Sequence, residues 1–191
     1  MIGEETPIPS NNILHMDEKG PARKQPLNYR FVIGMLNFLS SSKRPDILFI
    51  VQQCTIFCTS PRLIREQAVK RVIRYLSRTE NKGIEVNIGK PNGMEYNVDA
   101  DFCGNYHKDN SEDPTNLLSR TGFVILYTNY PIVWVSMLQG CISLSTTESE
   151  YIILSHVMRV LIMFTGLVEE LIATVVGLPP SKFELLRGIV L

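Results

Sequence analysis

The sequence predicts a mixed fold, α+β or α/β, in which a small helical segment precedes a strand-rich piece that carries one long helix. Three observations predict it. Apolar residues recur at three- and four-residue spacing between Asn28 and Arg78, alternate with polar ones in the runs between Ile84 and Met137, and return to helical spacing between Thr147 and Val176. Helices first, strands second and one helix last argue for two modules with a boundary near residue 82. No internal repeat is visible.

At 191 residues and 45% hydrophobic content the chain can bury a core for one ordinary domain or two small ones. A formal net charge of +0 supplies no global field toward nucleic acid or an acidic membrane, so either partner needs a local patch. The 4 cysteines, Cys54, Cys58, Cys103 and Cys141, form no Cys-x-x-Cys pair and have no histidine at zinc-ligand spacing, which suits reduced thiols of an intracellular protein. Cys54 and Cys58 stand one helical turn apart and read as helix packing. The first ten residues, with Glu4 and Glu5, lack the basic start and apolar core of a signal peptide. Tyr151 to Leu171 is apolar but holds His156, Arg159, Glu169 and Glu170, so it reads as a buried helix and not as a membrane span of about 20 apolar residues.

Residues 1–27, with Pro7, Pro9, Pro21 and Pro26 among polar residues, read as a flexible tail. From Asn28 the positions Phe31, Met35, Leu36, Phe38 and Leu39 mark a first helix, ended by the polar run Ser40 to Arg44. Pro45 suits a first helical residue and Asp46 a first turn, so a second helix is expected over about 45–58. Thr59-Ser60-Pro61 then starts a third, about 61–78, burying Ile64, Ala68, Val72, Tyr75 and Leu76 and displaying Arg62, Arg65, Lys70, Arg71, Arg74 and Arg78. Within that set Lys70, Arg74 and Arg78 are spaced by four and form one basic ridge.

Beyond Lys82-Gly83 the texture changes. Ile84 to Ile88 alternates as a half-buried strand, Pro91-Asn92-Gly93 offers a turn, and Met94 to Asp99 returns. Two further strands are expected at Thr121 to Tyr127 and Ile132 to Met137, joined by a turn at Asn129-Tyr130-Pro131, with Trp134 in the core. Gly104 to Arg120 is polar and acidic and reads as an exposed loop, with His107 a surface side chain. The last helix, about 147–176, stops at Gly177 and Pro179-Pro180.

Six blocks carry a resemblance: Tyr29 to Leu39, Arg44 to Ile47, Ala68 to Leu76, Val98 to Gly104, Ser119 to Phe123, and Leu144 to Ile152. In this order they resemble copia-type retrotransposon Pol polyproteins, over roughly residues 27–176. The resemblance implies a reverse transcriptase thumb or connection-like segment over 28–82, part of a ribonuclease H-like domain with a mixed sheet over 83–177, and a divergent tail over 178–191. The Tyr-x-Asp-Asp polymerase site of the family has no counterpart here, so the resemblance does not extend to polymerase activity.

Ribonuclease H cleavage, as the resemblance implies, uses a cluster of carboxylates to hold Mg²⁺ or Mn²⁺ ions that activate water and stabilise the leaving oxygen. Asp99 matches the family's first-strand aspartate and Glu150 its helix glutamate, the two expected catalytic residues. Asp101 shares a strand face with Asp99 and is a further metal-ligand candidate. Taken alone, Asp99 and Asp101 also read as strand-end aspartates beside a turn. Glu150 has support of its own. Ile153, Val157, Val160, Phe164, Leu167 and Leu171 form a sheet-facing stripe, and one step back along that register lands on Glu150, where a charge needs a partner or a metal. Two capping boxes compete at this helix start, Thr147 with Glu150 and Ser145 with Glu148, and only the second leaves Glu150 free.

The resemblance implies an RNA–DNA hybrid or duplex as partner, with Lys70, Arg71, Arg74 and Arg78 as candidate phosphate contacts, although a solvated face reads equally well. The remainder of a Pol polyprotein is the other implied partner, and no membrane is expected. The compartment would be a cytoplasmic particle or the nucleus. Residues 178–191 hold no aspartate and are too few for the strand, helix and strand with which the family continues. The sheet is therefore expected to lack its far side and the metal cluster half its ligands, leaving little or no activity in this chain alone. A non-catalytic nucleic-acid-binding module and a relic with no selected function are the alternatives.

Overall fold

The computed structural model describes residues 5–8, 20–22, 27–85, 93–106, 114–177 and 186–190. The chain forms two compact units, one of Met1–Ile84 with Asn105–Leu117, the other of Glu85–Gly104 with Leu118–Leu191. Residues 105–117, grouped by sequence with the strands, thus belong to the helical unit. The strand expected at Ile84 to Ile88 lies largely outside the described residues, as does His107; Ile84 and Glu85 are not in a strand.

The helical unit contains α1 (Tyr29–Ser42), a 3-10 turn (Pro45–Ile47), α2 (Leu48–Thr55), α3 (Leu63–Arg78) and a further 3-10 turn (Pro114–Leu117). Asn28 caps α1, its Oδ1 accepting from the Phe31 amide at 3.4 Å. Tyr29, Val32, Ile33 and Leu36 face the core with Ile47, Ile50, Val51, Cys54, Val69, Val72 and Tyr75. The expected α1 stripe is therefore corrected: Phe31, Met35 and Phe38 are 61%, 51% and 76% exposed. Both stripes obey helical spacing, and the buried one contains Tyr29, whose hydroxyl donates to the Cys54 carbonyl at 3.0 Å and fixes which face turns inward.

Helix α3 departs from expectation in the same way. Arg65 is buried, its guanidinium 3.6 Å from the Phe57 ring centroid, while Ile64 is exposed. Stacking lets a weakly hydrated guanidinium occupy a position where sequence spacing favours an aliphatic group. The tail expectation also changes locally: Ile8 packs against this core, and Thr6 accepts hydrogen bonds from Arg71.

In the second unit β1 (Met94–Asp101), β2 (Arg120–Tyr127) and β3 (Tyr130–Leu138) form an antiparallel meander. The β2–β3 hairpin turns on Thr128 and Asn129, both at positive φ (50° and 65°), as a two-residue turn matching the strand twist requires. Trp134 is only half-buried. Helix α4 (Thr146–Val176) crosses the sheet and ends at Gly177, left-handed at φ 70°. A fourth strand, β4 (Leu186–Val190), pairs parallel to β1, giving the order β3-β2-β1-β4.

That strand corrects the expectation that the sheet lacks its far side: one strand stands beside β1 there. Five residues rich in Leu, Ile and Val suffice for a strand. The absence of an aspartate bears on ligands and not on pairing. Helix α4 is likewise not buried all round: Ile153, Val157, Leu161 and Val168 enter the core, but Met158, Ile162, Met163, Leu167 and Leu171 are exposed. By length and composition alone α4 is long and apolar enough to cross a membrane.

Candidate functional site

Helix direction decides what meets what in the second unit. Thr165 Oγ1 lies 3.8 Å from the sulfur of Met94, at the start of β1. Fifteen residues back along α4 is about 22 Å, and six residues along β1 from Met94 is about 20 Å. Glu150 therefore comes level with the carboxyl end of β1, near Ala100. Glu150 also precedes the core residue Val168 by eighteen residues, which is about five whole turns, so both leave the helix at one azimuth. By register Glu150 thus lies on the core-facing side, yet it is exposed and not buried as expected, and the buried residue at this end of the helix is Ser149. Further along it is Val168 and Ile172 that face the core instead of Leu167 and Leu171.

Asp99 and Glu150 line one cleft of about 200 Å³ together with Val98, Ala100, Thr147, Tyr151, Ile153 and Leu154. Both residues are exposed. Capping leaves Glu150 at liberty. Ser145 Oγ accepts from the Glu148 amide at 3.1 Å, and Glu148 Oε2 accepts from the Leu144 amide at 2.7 Å. The cap is Ser145 with Glu148, not Thr147 with Glu150.

Asp101 goes elsewhere. Its carboxylate lies against Gly104, where any Cβ would collide with it, and it faces Arg120, its partner in the β1–β2 register. Burial lowers the pKa of Arg120 and the Asp101 charge works against that lowering. Asp101 is absent from the cleft that Asp99 and Glu150 share. Among the described residues no group of three or more His, Cys, Asp or Glu side chains is placed to hold a metal ion. Two carboxylates, Asp99 and Glu150, remain at the cleft.

Sequence spacing missed the buried polar residues behind the cleft. Ser119 and Ser143 hydroxyls meet at 2.7 Å, the Gln139 amide donates to the Ser119 carbonyl at 2.8 Å, and Gln139 Nε2 donates to the Ser149 carbonyl at 2.9 Å. Nothing in the run Leu138-Gln139-Gly140 distinguishes it from a loop; only the fold brings these groups together.

The cationic candidates occupy the helical unit. Lys70 Nζ pairs with the buried carboxylate of Glu66 at 2.6 Å, Arg78 reaches Glu5 at 3.5 Å, and Arg71 donates to Thr6. Lys70, Arg74 and Arg78 still share one side of α3, but the ridge is partly neutralised by its own neighbours. Arg65, expected on display, is buried.

The Pol polyprotein of transposon RE1 from Arabidopsis thaliana, a retrovirus-related protein, is 33% identical over 132 residues, 69% of this chain and 8% of its own length. That from transposon TNT 1-94 of Nicotiana tabacum is 32% identical over 156 residues, 82% of this chain and 11% of its own. This chain belongs to the copia-type retrotransposon Pol polyproteins. It spans about a tenth of the length of those Pol relatives. A shorter relative, secreted RxLR effector protein 161 of Plasmopara viticola, is 30% identical over 128 residues, 67% of this chain and 84% of that protein. No family model matches, and no solved structure matches.

Proposed function

We propose that the second unit is part of a ribonuclease H-like domain of a copia-type Pol polyprotein, with Asp99 and Glu150 as carboxylates of its metal site and an RNA–DNA hybrid as its substrate. The observation that carries this reading is the shared cleft: two acidic residues far apart in sequence, one on a strand and one on a crossing helix, line a single opening. The mixed sheet, with three antiparallel strands and a fourth parallel to the first after a helical crossover, supports it.

When bound, Mg²⁺ or Mn²⁺ would supply the polarisation of phosphate and water that hydrolysis needs. The residues of this chain contribute hard, charged oxygen ligands. Asp99 stands on a strand and Glu150 on a capped helix, so both are carried by rigid elements. With two carboxylates at the cleft, metal affinity is weak and cleavage by this chain alone is slow or nil.

The test is a labelled RNA–DNA hybrid incubated with the chain and Mn²⁺, alongside Mn²⁺ titration read by paramagnetic broadening. The expected result is broadening at Asp99 and Glu150 that disappears in Glu150→Gln, with cleavage at background. Rapid cleavage abolished by Glu150→Gln would keep the site and overturn the weak activity, and broadening that ignores the substitution would overturn the site.

A second reading, phosphate binding by Lys70, Arg71, Arg74 and Arg78 without catalysis, is favoured by the outward side chains of Lys70 and Arg78, each about half exposed. Salt-sensitive binding to hybrid or duplex is its signature.

A further inference from the structure

We infer that Gln139 is a positioning residue for Glu150, an inference that rests on reading Glu150 as a metal-binding carboxylate. Gln139 follows directly on β3 and is 4% exposed. Its Nε2 donates to the Ser149 carbonyl at 2.9 Å and lies 3.4 Å from Thr121 Oγ1, while its backbone amide is held by the Ser119 carbonyl at 2.8 Å. One side chain thus ties the start of β2 and the end of β3 to the residue immediately before Glu150.

Ser149 is fully buried, and its hydroxyl donates to the Thr146 carbonyl at 2.6 Å, so the tie acts on a turn that is itself closed. A carbonyl in a helix has a second lone pair beyond the one serving its own ladder, and Gln139 takes it from outside the helix. The link sets the rotation of the first turn. Side-chain tips stand about 5 to 6 Å from a helix axis, so a rotation of about 10° shifts a carboxylate by about 1 Å, beyond the tolerance of about 0.5 Å for a productive site.

Gln139 is a poor choice for mere filling. Its Oε1 is buried without a hydrogen-bond partner among the described residues, a cost that an apolar side chain of similar length avoids. The donor, not the volume, is what the position uses.

The experiment compares wild type, Gln139→Met and Thr121→Val in the full chain, reading amide hydrogen exchange without metal and Mn²⁺ affinity by paramagnetic broadening. Gln139→Met keeps the volume and removes the donor; Thr121→Val leaves the Ser149 link in place. The expected result for Gln139→Met is about tenfold faster exchange at residues 149–153, unchanged exchange in β1 and β2, and Mn²⁺ affinity at least about threefold weaker. Thr121→Val should behave as wild type.

Unchanged exchange and affinity in Gln139→Met would overturn the inference. So would faster exchange spread equally over β1 and β2, or an equal effect of Thr121→Val, because either marks a general role in the core. If wild type shows no Mn²⁺ broadening, the metal reading fails separately, and the exchange data alone decide whether Gln139 orders the turn.

Discussion

Arg44 holds Asp46 in a two-pronged grip across a single intervening residue. Arg44 Nε donates to Asp46 Oδ1 at 2.9 Å and Nη2 to Oδ2 at 2.8 Å. The same guanidinium donates to the carbonyl and hydroxyl of Thr79 at the end of α3, and the Tyr75 hydroxyl donates to Asp46 Oδ2 at 2.8 Å. The short 3-10 turn before α2 is thereby locked to α3, and the run Arg44-Pro45-Asp46 acquires a structural reason.

The first prediction concerns pH. Burial by itself raises the Asp46 pKa, but hydrogen bonds from Arg44 and Tyr75 outweigh it and the net shift is downward. A depressed carboxylate stabilises the fold above its unfolded pKa, near 4, and loses that contribution as pH falls through the folded value. Asp46→Asn should cost about 1 to 2 kcal/mol at neutral pH, the pair being partly exposed, and progressively less as pH falls through the folded value. Urea unfolding of both proteins at pH 7, 4 and 2 checks it; a constant gap would refute the linkage.

Thiol chemistry gives the second. Burial pushes the Cys54 thiol up to about 12, and the side chain is 1% exposed, whereas Cys141 is exposed. A disulfide reagent at pH 8 should modify Cys141 within seconds and Cys54 only on unfolding. Mass spectrometry of the quenched reaction identifies the order, and early labelling of Cys54 would contradict the burial.

Gly104 supports the third. An added Cβ meets first the far end of the flexible Asp101 side chain, so Asp101 must rotate away, at the expense of its position facing the buried Arg120. Gly104→Ala should destabilise by about 1 kcal/mol, and far less when Asp101→Ala is already present. A double-mutant cycle by thermal unfolding measures that coupling; additive effects would separate the two residues.

For the fourth, α3 should be probed at Arg74 and Arg78 and not at Lys70, because reversing Lys70 sets a like charge beside the buried carboxylate of Glu66. If the ridge contacts phosphates, Arg74→Gln with Arg78→Gln should weaken duplex binding and flatten the plot of log affinity against log salt by up to about 2. Fluorescence anisotropy across a KCl series reads both quantities. An unchanged slope removes the ridge from the interface.

What the sequence disclosed and what it hid follow from the range of the interactions concerned. The Ser145 cap among its alternatives, the ends of α4 and the spans of the three antiparallel strands rest on local spacing and were readable, whereas the helix expected over about 45–58 is a 3-10 turn followed by α2 over Leu48–Thr55. The inward face of α1 was not, because Phe31, Met35 and Phe38 obey the same spacing as Tyr29, Val32 and Leu36, and the choice is made by Cys54 on another helix. Asp101 shares strand parity with Asp99, yet its direction is set by Gly104 and Arg120. β4 escaped notice because residues 178–191 were weighed against the whole strand, helix and strand with which the family continues, whereas one pairing strand needs only five residues.

The 31 residues of α4 extend about 46 Å, against about 26 Å for the 8 residues of β1. With Thr165 abreast of Met94, the last three turns run on past the beginning of the strand they cross. Leu171 and Val175, 54% and 81% exposed, lie on that overhang. Polar residues at 171 and 175 are a means of improving sample behaviour that leaves the cleft untouched.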